Sequence, residues 1–162
     1  MMRGTGNGMV AGLAGTTAMT VSEKLEQALT GRPSSFIPGH AVERMLALPT
    51  KPDKERRWMN WAAHWGLGTL GATWRGVMAE GGMRGPLASG IFLVFRIATD
   101  ETMENVTGVG KPPWSWKKGL ATIDVLHKAV YAFATGLVAD QLASTPPPLA
   151  KRSGGHGRGG SF

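Results

Sequence analysis

The chain has 162 residues, enough for one domain around one core and too few for two ordinary ones. It carries a net charge of +7 and no cysteine, which excludes disulfides, thiolate nucleophiles and cysteine metal sites. The 42% hydrophobic content and mean hydropathy of -0.09 are low for a protein that spans a bilayer, but a polar stretch around Lys51 to Arg57 and a polar tail after Ser144 dilute both figures.

In chain order, the first predicted helix runs from Gly8 to Leu29 and stops at Gly31-Arg32-Pro33, a glycine cap followed by proline. Gly4, Gly8 and Gly12, continued by Thr16 and Thr20, recur at four-residue spacing and form a ridge suited to close helix contact. Twenty-four glycines in all favour a membrane setting, because soluble helices avoid glycine whereas membrane helices use it to bring backbones together. The stretch after Arg3 has the outline of a secretory signal. Its glycines and threonines make a poor apolar centre, however, and the apolar face continues past Glu23 through Leu25, Ala28 and Leu29, so a retained helix is expected.

A short amphipathic helix follows over residues 39–48, with Val42, Met45 and Leu46 on one side and His40, Glu43, Arg44 and Ala47 on the other. It is too short to span and suits an interface. Beyond the charged linker 51–57, a second long helix covers Trp58 to Ala79, carries Gly68 and Gly71 as further close-packing positions, and is broken by Glu80-Gly81-Gly82. The third runs from Pro86 to Glu104, with proline in its first turn and Ile91-Phe92-Leu93-Val94-Phe95 as the most apolar run of the chain. After a loop from Gly108 to Trp114, the fourth covers Lys118 to Ala143. Pro146-Pro147-Pro148 then ends order, and residues 145–162 are expected to be a disordered Pro/Gly/Arg tail on a helical domain of residues 1–144.

No strand alternation occurs, so the expected fold is all-α: an up-and-down bundle of about four long transmembrane helices plus one short amphipathic helix. Each long segment has about the 20 residues needed to cross ~30 Å of hydrocarbon. A soluble helical bundle competes, because Arg75, Arg96, Asp124, His127 and Lys128 interrupt the apolar pattern. Tryptophan placement favours the membrane. In an up-and-down topology Trp58, Trp61, Trp65, Trp114 and Trp116 all fall at one end, as an interfacial aromatic belt does, with Trp74 alone outside it. The basic residues sit in connections and tail rather than along a helical face, which fits loops of a membrane protein. The lipid bilayer, with self-association or a larger membrane complex, is therefore the expected partner, and nucleic acid is not. The positive loop from Arg32 to Arg57 places that end in the cytoplasm, although the basic tail pulls the other way.

The run His64-Trp65-Gly66-Leu67-Gly68, then Gly71, then Ala79-Glu80, resembles a motif of the YagU-like family of small bacterial inner-membrane proteins. Gly108, Pro112-Pro113 with a tryptophan, an acidic residue and His127 follow in that family's order. The likeness covers roughly Trp58 to Leu142, and the N-terminal third departs from it. It implies a multi-pass protein of the bacterial inner membrane and brings no known reaction with it.

The same topology gathers Glu23, His64, Asp100, Glu104, Asp124 and His127 at the tryptophan-rich end. The structural reading pairs Arg96 with Asp100 and Asp124 with Lys128, while the histidines hydrogen-bond across helices. A second reading makes the cluster a site for a transition metal or haem, because inward histidines and carboxylates ligate both. Asp124-x-x-His127 resembles half of a di-iron pattern, but the matching Glu-x-x-His half is missing, so no cofactor is predicted. A third reading is transport or proton relay through intramembrane ionisable groups. With no complete catalytic motif, the expected role is a non-enzymatic accessory, scaffold or permeation element, with a metal- or haem-binding enzyme as the alternative.

Overall fold

The computed structural model describes residues 2–110 and 118–144, and among these there is helix and no strand. In chain order the helices are α1 Met2–Thr30, α2 Ile37–Met45, α3 Asp53–Gly71, α4 Thr73–Glu80, α5 Gly85–Thr107 and α6 Lys118–Leu142. α3 and α4 form one nearly continuous helix, so four long rods build an all-α bundle. α1 runs antiparallel to α3–α4, with Thr20 beside His64 at one end and Gly4 beside Val77 near the other. It also runs antiparallel to α6, with Ser22 bonded to His127 and Asn7 to the Leu142 carbonyl. α5 lies antiparallel to α6 on its other side, with Phe92 against Tyr131 and Asp100 near Lys128. α1 is the central strut because its small residues let both neighbours approach.

That approach is visible atom by atom. A methyl group built on Gly8 would lie 2.6 Å from the Ala72 carbonyl oxygen, and one on Gly12 would lie 2.6 Å from the Ala72 methyl. On the same ridge Thr16 packs over Gly68, and Gly4 and Gly8 pack over Gly76. Two four-residue ladders thus mesh, Gly4-Gly8-Gly12-Thr16-Thr20 against Gly76-Ala72-Gly68-His64. Gly71 stands outside this seam, facing the Arg96 guanidinium.

The elements differ from expectation in instructive ways. α1 begins at Met2 rather than Gly8, because Gly4 already lies in the seam with α4. The second long helix starts at Asp53, so most of the supposed charged linker is its first turn. It is then interrupted at Ala72, where the Thr73 hydroxyl donates to the Leu70 carbonyl at 2.7 Å and Gly8 and Gly12 of α1 pack against Ala72. α5 runs to Thr107 and α6 ends at Leu142, one residue short of the predicted end. α2 covers Ile37–Met45, and its protein-facing residues are Gly39, Ala41 and Glu43, while Met45 and Leu46 face outward. Three helix ends are set by glycine at positive φ, and Gly31 follows α1 as the sequence predicts, its amide donating to the Gln27 carbonyl at 2.9 Å. Gly82 follows α4 and Gly108 follows α5, each closed by paired bonds to the last turn, Met83 N to Met78 O and Val109 N to Glu104 O. The expected tail, Trp114 and Trp116 lie outside the described residues.

No helix among the described residues is long and apolar enough to cross a membrane, so hydropathy alone does not carry the transmembrane expectation. The radial distribution is nevertheless unusual. The buried apolar residues are chiefly alanines with Met19, Met59, Met78, Phe92 and Tyr131, and no leucine, isoleucine or valine is among them. The largest fully buried side chains include Arg56, Arg75 and Thr135, while Val10, Leu13, Leu87, Val94, Leu126 and Leu137 stand exposed.

Candidate functional site

At the end of the bundle where α1 finishes and α6 begins, the four rods diverge around a cavity of about 980 Å³. The Pro33 to Pro38 segment and Asn60 close one side of it. Glu23, His64, Asp100, Glu104, Asp124 and His127 all line this space, so the six residues drawn together by helical counting do share one site. Met19, Leu67, Met103, Leu120 and Ile123 supply apolar wall, and Trp61 stands at the mouth.

A ladder of alternating charge crosses the floor between α5 and α6. Arg96 pairs with Asp100 at 3.0 Å, Lys128 reaches Asp100 at 3.7 Å and Asp124 at 2.7 Å, and Arg96 also lies over the Tyr131 ring at 5.5 Å. Both ion pairs expected from the i,i+4 spacing are present. Tyr131 donates to the Gly68 carbonyl and ties this ladder to the seam between α1 and α3. The two histidines bond across helices: His64 Nε2 lies 3.1 Å from the Thr20 hydroxyl and His127 Nδ1 lies 2.8 Å from the Ser22 hydroxyl.

Some groups are left over. Glu104 is 8% exposed and its Oε2 has no hydrogen-bond partner among the described residues. His127 is 4% exposed and its Nε2 is likewise without one, the nearest acid being Glu26 at 3.8 Å. Glu23 makes no hydrogen bond among the described residues, although Arg32 and Lys24 lie near enough to act on it through space. Buried polar atoms are ordinarily satisfied, so Glu104 Oε2 and His127 Nε2 are exceptions that belong to residues lining this cavity.

Among the described residues no three His, Asp or Glu side chains converge as a ligand shell, and each cavity histidine already engages a hydroxyl of α1. Ser22, His127 and Glu26 fall in the order of a hydrolytic triad, but the match is superficial. Ser22 does not line the cavity, and both Glu26 oxygens are held by Arg32 at 2.7 to 3.2 Å.

Two buried ion pairs escaped the sequence reading. Arg75, fully buried, pairs with Asp140 at 2.6 Å across α4 and α6, and Asp140 also accepts from the Gly85 amide at 2.8 Å. Arg56, also buried, binds Glu43 at 2.7 Å, Asp53 at 2.7 Å and His40 at 2.8 Å, fastening α2 to α3 beside the cavity. The hydrogen bond from Arg56 holds the Glu43 carboxyl below its ordinary range. Finding either pair required the helix register: Arg56 reads as one more linker charge, and Asp140 lies 65 residues from its partner. Trp61 and Trp65 stack at 6.3 Å at the cavity end, while Trp74 instead stacks on Phe95 at 5.5 Å.

No protein-family model, curated protein or solved structure matches this chain.

Proposed function

We propose that the protein is a multi-pass membrane bundle that holds a polar, ligand-accessible cavity at one membrane face, a binding or permeation element rather than an enzyme. One observation carries the reading: over one long stretch of each of the four rods the outward-facing residues are uncharged. Between Arg3 and Lys24 the exposed residues of α1 are Thr5, Gly6, Met9, Val10, Leu13, Thr17 and Val21. From Trp58 to Glu80 those of α3–α4 are Trp58, Trp61, Ala62, Leu70 and Trp74. On α5 no exposed residue is charged over its full 23 residues, and on α6 none is charged from Leu120 to Leu142. The charges in these stretches, Glu23, Arg75, Glu80, Arg96, Asp100, Glu101, Glu104, Asp124, Lys128 and Asp140, are buried or half-buried.

Each uncharged stretch is about 20 residues, or ~30 Å of helix, which matches the hydrocarbon thickness. The same arrangement accounts for the low hydropathy. Averaging along a helix counts inward ion pairs and small seam residues that lipid never meets. Close Gly/Ala/Thr contacts with aliphatics turned outward are how helices associate without a hydrophobic drive between them. Many exposed aliphatic and aromatic side chains on an uncharged surface otherwise mark an interface. The likeness to the YagU-like family supports the bacterial inner membrane as the location. Lys24, Arg32, Arg44, Lys51, Lys54 and Arg57 cluster at the cavity end against Arg3 and Arg84 at the other, which supports a cytoplasmic mouth.

Alkaline carbonate washing of membranes from cells making the full chain tests this. Retention of essentially all the protein in the pellet is expected. Release into the supernatant would identify a soluble or peripheral bundle and overturn the reading.

A further inference from the structure

Once the ion pairs of the cavity floor are drawn, two of its carboxylates are left over. Asp100 and Asp124 are matched by Arg96 and Lys128, which leaves Glu23 and Glu104 without an ion pair among the described residues. Of the other lining cations, Lys24 and Arg32 act on Glu23 through space, but neither forms an ion pair with it among the described residues. Arg32 is engaged by Glu26, Lys24 donates to Gln27 and Ser34 at 3.0 Å, and Arg57 is exposed at the mouth. A carboxylate oxygen accepts and never donates, so Glu104 Oε2 calls for an N–H or O–H donor inside the cavity.

His127 supplies an independent, opposite requirement. Glu26, 3.8 Å from Nε2, favours the tautomer with hydrogen on that atom, while Nδ1 accepts from Ser22. Its Nε2–H lacks an acceptor at hydrogen-bond distance. The space is far larger than an inorganic cation needs and falls within the range of small organic ligands. Trp61 at its mouth offers an aromatic face of the kind that attracts ammonium groups.

Resting on the reading of this cavity as a ligand site, we infer that it binds a small organic amine, protonated at neutral pH. The ammonium group donates to Glu104 and Glu23, and the carbon chain lies along Met19, Leu67 and Met103. A hydroxyl or carboxyl on the same molecule accepts from His127. A membrane setting strengthens such pairing, because the surrounding protein and lipid exclude competing water.

The test uses full-length protein purified in detergent and titrated with 1,4-diaminobutane and ethanolamine, following thermal unfolding and tryptophan fluorescence. Butyrate and sodium chloride at matched ionic strength serve as controls. At least one amine is expected to raise the unfolding temperature saturably, with no effect of butyrate. Glu104→Gln and Glu23→Gln should each weaken the apparent affinity about tenfold, the loss of one charge-assisted hydrogen bond. Glu23 has no hydrogen bond to lose among the described residues, so its variant keeps the test open if Glu104→Gln folds poorly. Absence of a saturable shift with any amine, an equal shift with butyrate, or unchanged affinity in both variants would overturn the inference. Loss of amine binding in a protein retained by carbonate-washed membranes sinks this inference alone. Release by carbonate with amine binding intact sinks the membrane reading alone.

Discussion

Arg56 and Glu43 set the clearest case at the scale of single residues. Both are almost wholly buried, and the guanidinium satisfies a glutamate, an aspartate, a histidine and the Lys51 carbonyl at once. The Glu43 carboxyl titrates below its ordinary value of 4.5 in the folded protein. Its contribution to stability is therefore complete above that value and is lost as pH falls through the depressed folded value. Thermal unfolding between pH 7 and pH 3 should fall more steeply for the unaltered protein than for Glu43→Gln, and equal slopes would contradict the assignment. The sequence showed His40, Glu43 and Arg56 as residue types but not as partners. Only the fold of the loop after Gly31 brings α2 back onto α3. The cavity cluster was more legible, because Asp100, Asp124 and His127 are placed by turn-counting along helices whose direction the loops dictate. What turn-counting could not supply was the register between α1 and α6, which decides that Ser22 rather than a carboxylate meets His127.

At the scale of elements, the seam between α1 and α3–α4 depends on the absence of side chains. An alanine methyl at Gly8 would stand 2.6 Å from backbone atoms of Ala72 and Thr73, so the helices must separate to admit it. Gly8→Ala should lower stability by ~1–3 kcal/mol through overpacking. Gly6→Ala is the matched control: nothing lies within 4 Å of its added methyl, and the gain in helix propensity is about 0.5–1 kcal/mol. Unfolding in detergent measures both, and equal effects at the two positions would refute the seam. The four-residue spacing of Gly4, Gly8 and Gly12 announced this contact in advance. The hitch at Ala72 was not announced. Gly71-Ala72-Thr73 is compatible with continuous helix, and the interruption coincides with close tertiary approach and with the Thr73 hydroxyl competing for a backbone carbonyl.

At the scale of the whole molecule, the bundle sorts its residues in reverse of a water-soluble core. Alanine, glycine, threonine and paired charges occupy the interior, and leucine, valine, isoleucine and tryptophan cover the outside. Composition along the chain conceals this, because the averages that measure hydropathy mix the two faces of every helix. The four-helix, up-and-down arrangement was readable from glycine and proline punctuation, whereas the radial sorting needed the positions of all four rods together.

The chain contains no cysteine, so single thiols can be placed on this outer surface without background. Leu13→Cys, Val94→Cys and Leu137→Cys sit on three different rods, and Ser34→Cys sits on the exposed loop beside the cavity mouth. Labelling with a membrane-impermeant maleimide on opened membrane vesicles is the most direct test. The three rod positions should stay unlabelled until detergent is added, while Ser34→Cys reacts at once; labelling of Leu13→Cys, Val94→Cys and Leu137→Cys as fast as Ser34→Cys would contradict a lipid-facing surface.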